Sequence, residues 1–118
     1  MTSLLIWKAG ALFGASAIAL GAFGAHGLKN RITDPRKLAN WGTAAQYQLI
    51  HSVAMLAASN YPVAGSLFAT GITMFSGSLY LLVLDSERFR YLGPVTPLGG
   101  LCLIGGWLAL AFAKRGRL

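Results

Sequence analysis

Residues 38–84 read LANWGTAAQYQLIHSVAMLAASNYPVAGSLFATGITMFSGSLYLLVL and contain no Asp, Glu, Lys or Arg. This stretch is too long for one membrane crossing, because about 20 apolar residues span a hydrocarbon core of about 30 Å. Asn60-Tyr61-Pro62 near its middle is typical of a tight turn, and proline suits the first position of a helix. The stretch therefore predicts two membrane-spanning helices, at about residues 38–59 and 63–84.

Two further uncharged stretches, residues 9–25 and 92–113, predict spans at about residues 4–25 and 96–113. Lys8 follows the first apolar residues instead of preceding them, which is the wrong order for a signal peptide. Asp34-Pro35 and Thr96-Pro97 are typical helix starts, with a capping side chain before a proline. We predict an all-α integral membrane bundle of four transmembrane helices, in a single domain over residues 1–118.

The composition agrees with a membrane protein. The 118 residues are 55% hydrophobic and 11% charged, whereas soluble domains contain about 25% charged residues. The net charge of +7 is explained by cations beside the spans, which bind the anionic headgroups of a lipid bilayer. Because no soluble domain remains to present a basic surface, nucleic acid is not an expected partner. The single cysteine, Cys102, is expected to be a small packing residue.

The cations also predict an orientation. Four spans place both termini on one side of the membrane, with Lys8, Lys114, Arg115 and Arg117. The two long loops on the other side carry Lys29, Arg31, Arg36, Lys37, Arg88 and Arg90. Since cations favour the cytoplasmic side, we expect the loops inside and the termini outside, in a multi-pass protein of the bacterial cytoplasmic (inner) membrane.

The second span is the unusual one, because polar residues interrupt it. It carries the candidate intramembrane site Tyr47, Gln48, His51 and Ser52. His51 lies about 15 Å along the helix from Trp41, whose ring is expected at the membrane interface, so His51 is expected near the bilayer midplane. Such side chains either bond to other helices or line a wet cavity. Interhelical hydrogen bonding and a proton-relay, ligand or ion site both remain open.

Catalysis and metal binding have little support in the sequence. The interiors of the spans contain no carboxylate, and no GxSxG, HExxH, P-loop or CxxC motif occurs. We therefore predict no catalytic residue and no cofactor. His26 and His51 lie at different depths and are too few for a zinc site, so no metal site is predicted. His26 is expected to be an interfacial residue at the end of the first helix.

Small residues recur at helical spacing on the first and fourth spans, where they permit close approach of helices. In the first span they are Gly10, Gly14, Ala17, Gly21 and Ala25. In the fourth they are Gly99, Cys102, Gly106, Ala109 and Ala113. These stripes suggest a homo-oligomer or a larger membrane complex.

Several motifs together resemble the small membrane family called domain of unknown function 423, which includes animal transmembrane protein 256 homologues. The motifs are Gly21-Ala22-Phe23-Gly24-Ala25-His26-Gly27-Leu28, Trp41-Gly42-Thr43-Ala44, Tyr47-Gln48, His51, Phe75-Ser76-Gly77-Ser78-Leu79-Tyr80, Thr96-Pro97-Leu98-Gly99-Gly100 and Gly105-Gly106-Trp107. The resemblance implies a multispan membrane protein and brings no activity, substrate or cofactor with it. It adds Ser76, Ser78 and Tyr80 to the candidate site, which they could reach if the second and third helices form a hairpin.

Two functions follow as expectations. The first is a small accessory or structural component of the membrane. The second is a small transporter or channel with a polar path along the second helix. An enzyme is not expected.

Overall fold

The computed structural model describes residues 2–114, in which four long helices form the fold. They are α1 (Ser3–His26), α2 (Pro35–Ala57), α3 (Pro62–Leu84) and α4 (Val95–Ala111), with short 3₁₀ helices at Leu28–Asn30 and Arg90–Leu92. This part of the chain contains no β-strand, which confirms the predicted all-α class. Arg115 and Arg117, which enter the orientation argument, lie outside the described residues.

The helix starts follow local chemistry. The Thr2 hydroxyl accepts a hydrogen bond from the backbone N–H of Leu5, and the Asp34 carboxylate accepts one from that of Arg36. Pro35 and Pro62 occupy first positions, as expected. The predicted cap at Thr96 is wrong: α4 begins one residue earlier, at Val95. The Thr96 hydroxyl bonds to Ser78 on α3 and is not available to cap the helix.

The helices pack in an order set by the chain. α2 runs back along α1, α3 runs back along α2, and α4 packs on α3. Residues 10 and 52 approach at one end of the α1–α2 pair, and residues 24 and 41 approach at the other. α2 therefore lies alongside α1 over most of its length. Between α2 and α4 a groove remains on the surface of α3.

The small residues of α1 and α4 are used inside the chain. A side chain at Gly10 would meet the Ser52 carbonyl of α2 at 3.0 Å, and one at Gly99 would meet the Phe75 Cα of α3 at 2.8 Å. A side chain at Gly106 would likewise meet the ring of Phe68 at 2.6 Å. Both stripes therefore bring neighbouring helices of one molecule together, and they supply no reason for a second one.

Three of the four helical segments are long and apolar enough to cross a membrane, namely Ser3–Asn30, Pro62–Leu84 and Arg90–Ala111. α2 is the exception. Its 23 residues reach about 34 Å, which is sufficient, but its polar residues, Asn40 and Gln46 as well as those of the candidate site, make it too polar by composition. The packing explains this difference, because α2 turns much of its polar surface towards α1 and α3.

Trp41, whose ring is expected at the membrane interface, packs that ring inside the bundle. Its side chain is buried, with 3% of its surface exposed, and its indole Nε1 donates to the Leu20 carbonyl over 2.7 Å. The ring packs 4.7 Å from that of Tyr80, between centroids. A Cβ at position 24 would overlap the Trp41 indole, so glycine there makes room for the ring.

Candidate functional site

The seven residues of the predicted intramembrane site all lie on α2 and α3, but they do not form one cluster. Gln48 and Tyr80 join in a hydrogen-bonded hub between α1, α2 and α3. The serines make separate contacts between or within helices. His51 and Tyr47 line the groove between α2 and α4. The sequence could not separate these groups, because the difference depends on which helix lies opposite each side chain.

Gln48 is the centre of the hub. Its amide nitrogen donates to the Phe13 carbonyl over 2.9 Å and to the Ser16 hydroxyl over 2.8 Å, both on α1. Its amide oxygen accepts from the Tyr80 hydroxyl of α3 over 2.7 Å. Both N–H groups and the oxygen are thus bonded, and only 4% of the residue is exposed. The hub is therefore a buried polar contact between three helices.

The serines act at helix contacts. Ser76 of α3 donates to the Ala44 carbonyl of α2 over 2.7 Å, and Ser78 shares a hydrogen bond with Thr96 of α4. Ser52 donates to the Leu49 carbonyl of its own helix and lies where a side chain at Gly14 would touch it. Among the described residues, every buried side-chain nitrogen and oxygen has a partner.

Both ring nitrogens of His51 are hydrogen-bonded. Nδ1 lies 2.7 Å from the Tyr47 carbonyl oxygen, and the Trp107 indole Nε1 lies 2.9 Å from Nε2. A carbonyl only accepts and an indole N–H only donates, so the network assigns the proton to Nδ1 and makes Nε2 the acceptor. The imidazole is therefore neutral in this arrangement. A second proton, on Nε2, would break the bond to α4.

The groove beside His51 has a volume of about 450 Å³. Tyr47 and His51 form its α2 side and Phe75 of α3 contributes to its floor, with the Tyr47 and Phe75 ring centroids 4.9 Å apart. The α4 side consists of Pro97, Gly100, Leu101, Leu103, Ile104 and Trp107. Tyr47 is 42% exposed, and its hydroxyl makes no hydrogen bond within residues 2–114. The groove is thus apolar and aromatic, with one unpaired hydroxyl in its lining.

His26 is the last residue of α1, and its side chain is exposed. Its carbonyl accepts from the Asn30 side chain over 3.3 Å. The position suits a residue at the membrane interface, and that role stays a prediction. Within residues 2–114, no three His, Cys, Asp or Glu side chains come close enough to share a metal ion.

Three side-chain partners at this site were missed from the sequence: Ser16, Thr96 and Trp107. The signal for Trp107 was a tryptophan in the middle of a span, where its N–H needs an acceptor inside the protein. Ser16 also bonds back to the Leu12 and Phe13 carbonyls of its own helix, which is common for serine in a helix and hides a role between helices.

Comparison with known proteins agrees with the fold and the motifs. The family model described as "Protein of unknown function (DUF423)" matches residues 20–100, and these include Gln48, His51 and Tyr80. The chain belongs to the DUF423 family. Its resemblance to that family is thereby confirmed. The match includes Gln48 and Tyr80 of the hub but not Phe13 or Ser16, and it includes the groove residues up to Gly100 but not Trp107.

The relatives of this DUF423 protein are named as membrane proteins in yeast and bacteria. It is 41% identical over 116 residues to a UPF0382 membrane protein of Schizosaccharomyces pombe, covering 91% of this chain and 98% of that one. It is 43% identical to one of Staphylococcus aureus, covering 88% of this chain and 89% of that one. The UPF0382 membrane protein YwdK of Bacillus subtilis is 37% identical, with 88% and 90% covered. No solved structure matches the chain.

Proposed function

We propose that this DUF423 protein is an accessory component of the membrane that works by packing, in a homo-oligomer or a larger complex, and has no catalytic role. In a bacterium it would reside in the cytoplasmic membrane. One observation carries the proposal: the buried polar side chains of the candidate site are bonded to other groups of the same bundle. These bonds hold helices together and leave few polar atoms for a reaction or a path.

The alternative of a transporter or channel has weaker support. A polar path along α2 would need Gln48 and its neighbours to face water, and transport of charged species within a membrane commonly uses ionisable groups along the path. The Gln48 amide is instead bonded to α1 and α3 at all three of its hydrogen-bonding groups. Opening a path there would break the hub.

The accessory role can be tested against transport in vesicles. Purified protein in vesicles containing a pH-sensitive dye, and in parallel a panel of ions, should give no more flux than empty vesicles. His51→Ala should behave like wild type. A flux that wild type supports and His51→Ala abolishes, with the variant folded and inserted, would contradict the proposal in favour of transport.

The complex itself has a direct test. Chemical crosslinking in native membranes, at native expression, should give a species of defined mass larger than the monomer. Finding only monomer would remove the oligomer and the complex from the proposal.

A second candidate function is favoured by the groove, namely binding of a membrane-dissolved molecule with a flat ring, a carbonyl group and an apolar tail. The Tyr47 hydroxyl can donate to the carbonyl, and the rings of Phe75 and Trp107 can contact the ring of the ligand. The volume of about 450 Å³ lies within the roughly 300–1,000 Å³ of small-molecule sites.

Binding in the groove is tested with an isoprenoid quinone as the probe. The quinone should raise the melting temperature of wild type and have a smaller effect on Tyr47→Phe, which keeps the ring and loses the donor. An equal effect on both variants, or none on wild type, would count against this second function.

A further inference from the structure

One face of α2 points away from the rest of the bundle. Met55 of α2 is fully buried and faces the bundle. Gln46 lies nine residues, or two and a half helical turns, before Met55 and therefore on the opposite side of the helix, at the centre of this exposed face. We name this surface the outer face of α2. Its exposed residues are Ala39, Gly42, Thr43, Gln46, Leu49, Ile50, Val53 and Ala57.

The outer face holds polar groups without partners, on a helix packed between α1 and α3, which are both apolar enough to cross a membrane. Gln46 is about 17 Å along the helix from Pro35, near the middle of α2. Neither its amide nor the Thr43 hydroxyl makes a hydrogen bond within residues 2–114. An amide facing hydrocarbon is unfavourable because lipid tails offer no hydrogen bonds. The buried Gln48, two residues on, has all its groups bonded, so Gln46 stands out on the same helix.

Gly42 supplies an independent observation. A Cβ at this position would meet nothing within 4 Å, whereas one at Gly10 would touch Ser52 of α2 at 3.0 Å. The small size of Gly42 is therefore not needed for packing inside the chain. It lies one turn before Gln46 on the same face, and a glycine there lets another helix approach closely.

The chemistry of this face fits a second copy of the chain. Copies inserted in the same direction are related by an axis along the membrane normal, so two outer faces meet with each residue opposite itself at the same depth. A glutamine amide carries both N–H donors and a carbonyl acceptor, so two Gln46 side chains can bond to each other reciprocally. A different partner would need its own amide or hydroxyl at that depth.

We propose that the outer face of α2 is a homodimer interface, with Gln46 paired to Gln46 of the second copy and Gly42 allowing the two helices to approach. The inference names the partner in the proposed accessory role and rests on it. It also explains how α2, which is too polar by composition to cross a membrane alone, can have one face that its own bundle leaves uncovered: the second copy covers that face.

Disulfide crosslinking in native membranes tests the surface. In a Cys102→Ser background, single cysteines at Gly42 and at Val53 should give an oxidised dimer. Cysteines at Ile18 of α1 and Leu101 of α4, which are 65% and 63% exposed, are the matched controls and should give little. Coexpression of two tagged forms identifies the adduct as two copies of this chain.

Gln46→Leu tests the amide pair. Energy transfer between labelled copies in lipid vesicles should show a fall in the association constant of about threefold to thirtyfold, since interhelical hydrogen bonds in membranes have about that effect. Gln46→Asn, which keeps a shorter amide, should recover part of the loss. Because Gln46 is exposed, the fold of the monomer should be retained in both variants, as circular dichroism can check.

Three results would overturn the proposal: crosslinks at Ile18 or Leu101 in place of the outer face, an adduct with the mass of a different protein, or unchanged association of Gln46→Leu. A dimer through Leu101 would reject this surface and leave the accessory role in place. A flux lost in His51→Ala would reject the accessory role and leave crosslinks at Gly42 unaffected.

Discussion

The Trp107 indole donates to Nε2 of His51 over 2.9 Å and so joins α4 to α2 across the groove. α4 otherwise packs mainly on α3. This hydrogen bond therefore holds α4 to α2 at the His51–Trp107 end of the groove, and it also fixes the tautomer of His51.

Trp107→Phe should loosen α4. The variant keeps an aromatic ring against Phe68, whose ring centroid lies 5.1 Å from that of Trp107, but leaves Nε2 of His51 without a donor. We expect the free energy of unfolding in micelles to fall by about 1 kcal/mol, within the range measured for such bonds. Trp7→Phe is the control, because Trp7 is 50% exposed. Equal effects of the two substitutions would contradict a role for the bond.

Gln48→Leu should destabilise the monomer by about 2 kcal/mol, because it removes three interhelical hydrogen bonds and leaves the Tyr80 hydroxyl unpaired. Gln46→Leu is the same substitution two residues away, on the outer face. It should leave unfolding of the monomer in micelles nearly unchanged and should weaken association instead. Thermal unfolding followed by circular dichroism separates the two, and a reversed order of the effects would refute the assignment of Gln48 as the hub.

Gly99→Ala should separate α3 from α4. The added Cβ at position 99 would lie 2.8 Å from the Cα of Phe75. This contact is with the backbone of α3, which cannot move aside as a flexible side chain can. The expected loss is about 1–3 kcal/mol of unfolding free energy. Gly77→Ala is the matched control, because a Cβ there meets nothing within 4 Å. It should be neutral or stabilising by up to about 1 kcal/mol, since alanine favours helix.

The predicted orientation can be checked by labelling in cells. With Cys102 replaced by serine, Ser86→Cys in the loop between α3 and α4 should react with an impermeant maleimide only after lysis. Ser59→Cys in the turn between α2 and α3 should react in intact cells, because this turn lies on the side of the termini, which is expected outside. Labelling of Ser86→Cys in intact cells, with Ser59→Cys protected, would reverse the orientation.

The sequence was enough to predict the helices and to mark α2. The uncharged stretches predict four long helices, and Pro35 and Pro62 begin α2 and α3, because desolvation of charge and the geometry of proline act locally. The site was predicted less well. Gln48 and His51 are three residues apart, yet one bonds to α1 and α3 and the other to α4. Those partners depend on packing, which no local pattern contains.

The same dependence on packing explains why Trp41 and Thr96 differ from what the sequence predicts. Tryptophan is a residue type that is common at membrane interfaces. The Trp41 ring is nevertheless buried, because Gly24 on another helix leaves room for it. Thr96 has the pattern of a cap, and it bonds to Ser78 because the two helices meet there. In both positions a contact between distant parts of the chain outweighs a local preference.

Gln48 also constrains the order in which the helices can enter the lipid during synthesis. Inserted alone, α2 would expose an unbonded amide to hydrocarbon, at a cost of several kcal/mol. α1 is made first and offers the Phe13 carbonyl and the Ser16 hydroxyl, so the two helices can enter together as a hairpin with the amide nitrogen already bonded. The amide oxygen is bonded only when α3 follows and brings Tyr80. The least apolar helix is thus synthesised between the two helices that bond its amide. The order of the helices in the chain therefore lowers the cost of inserting α2 into the membrane.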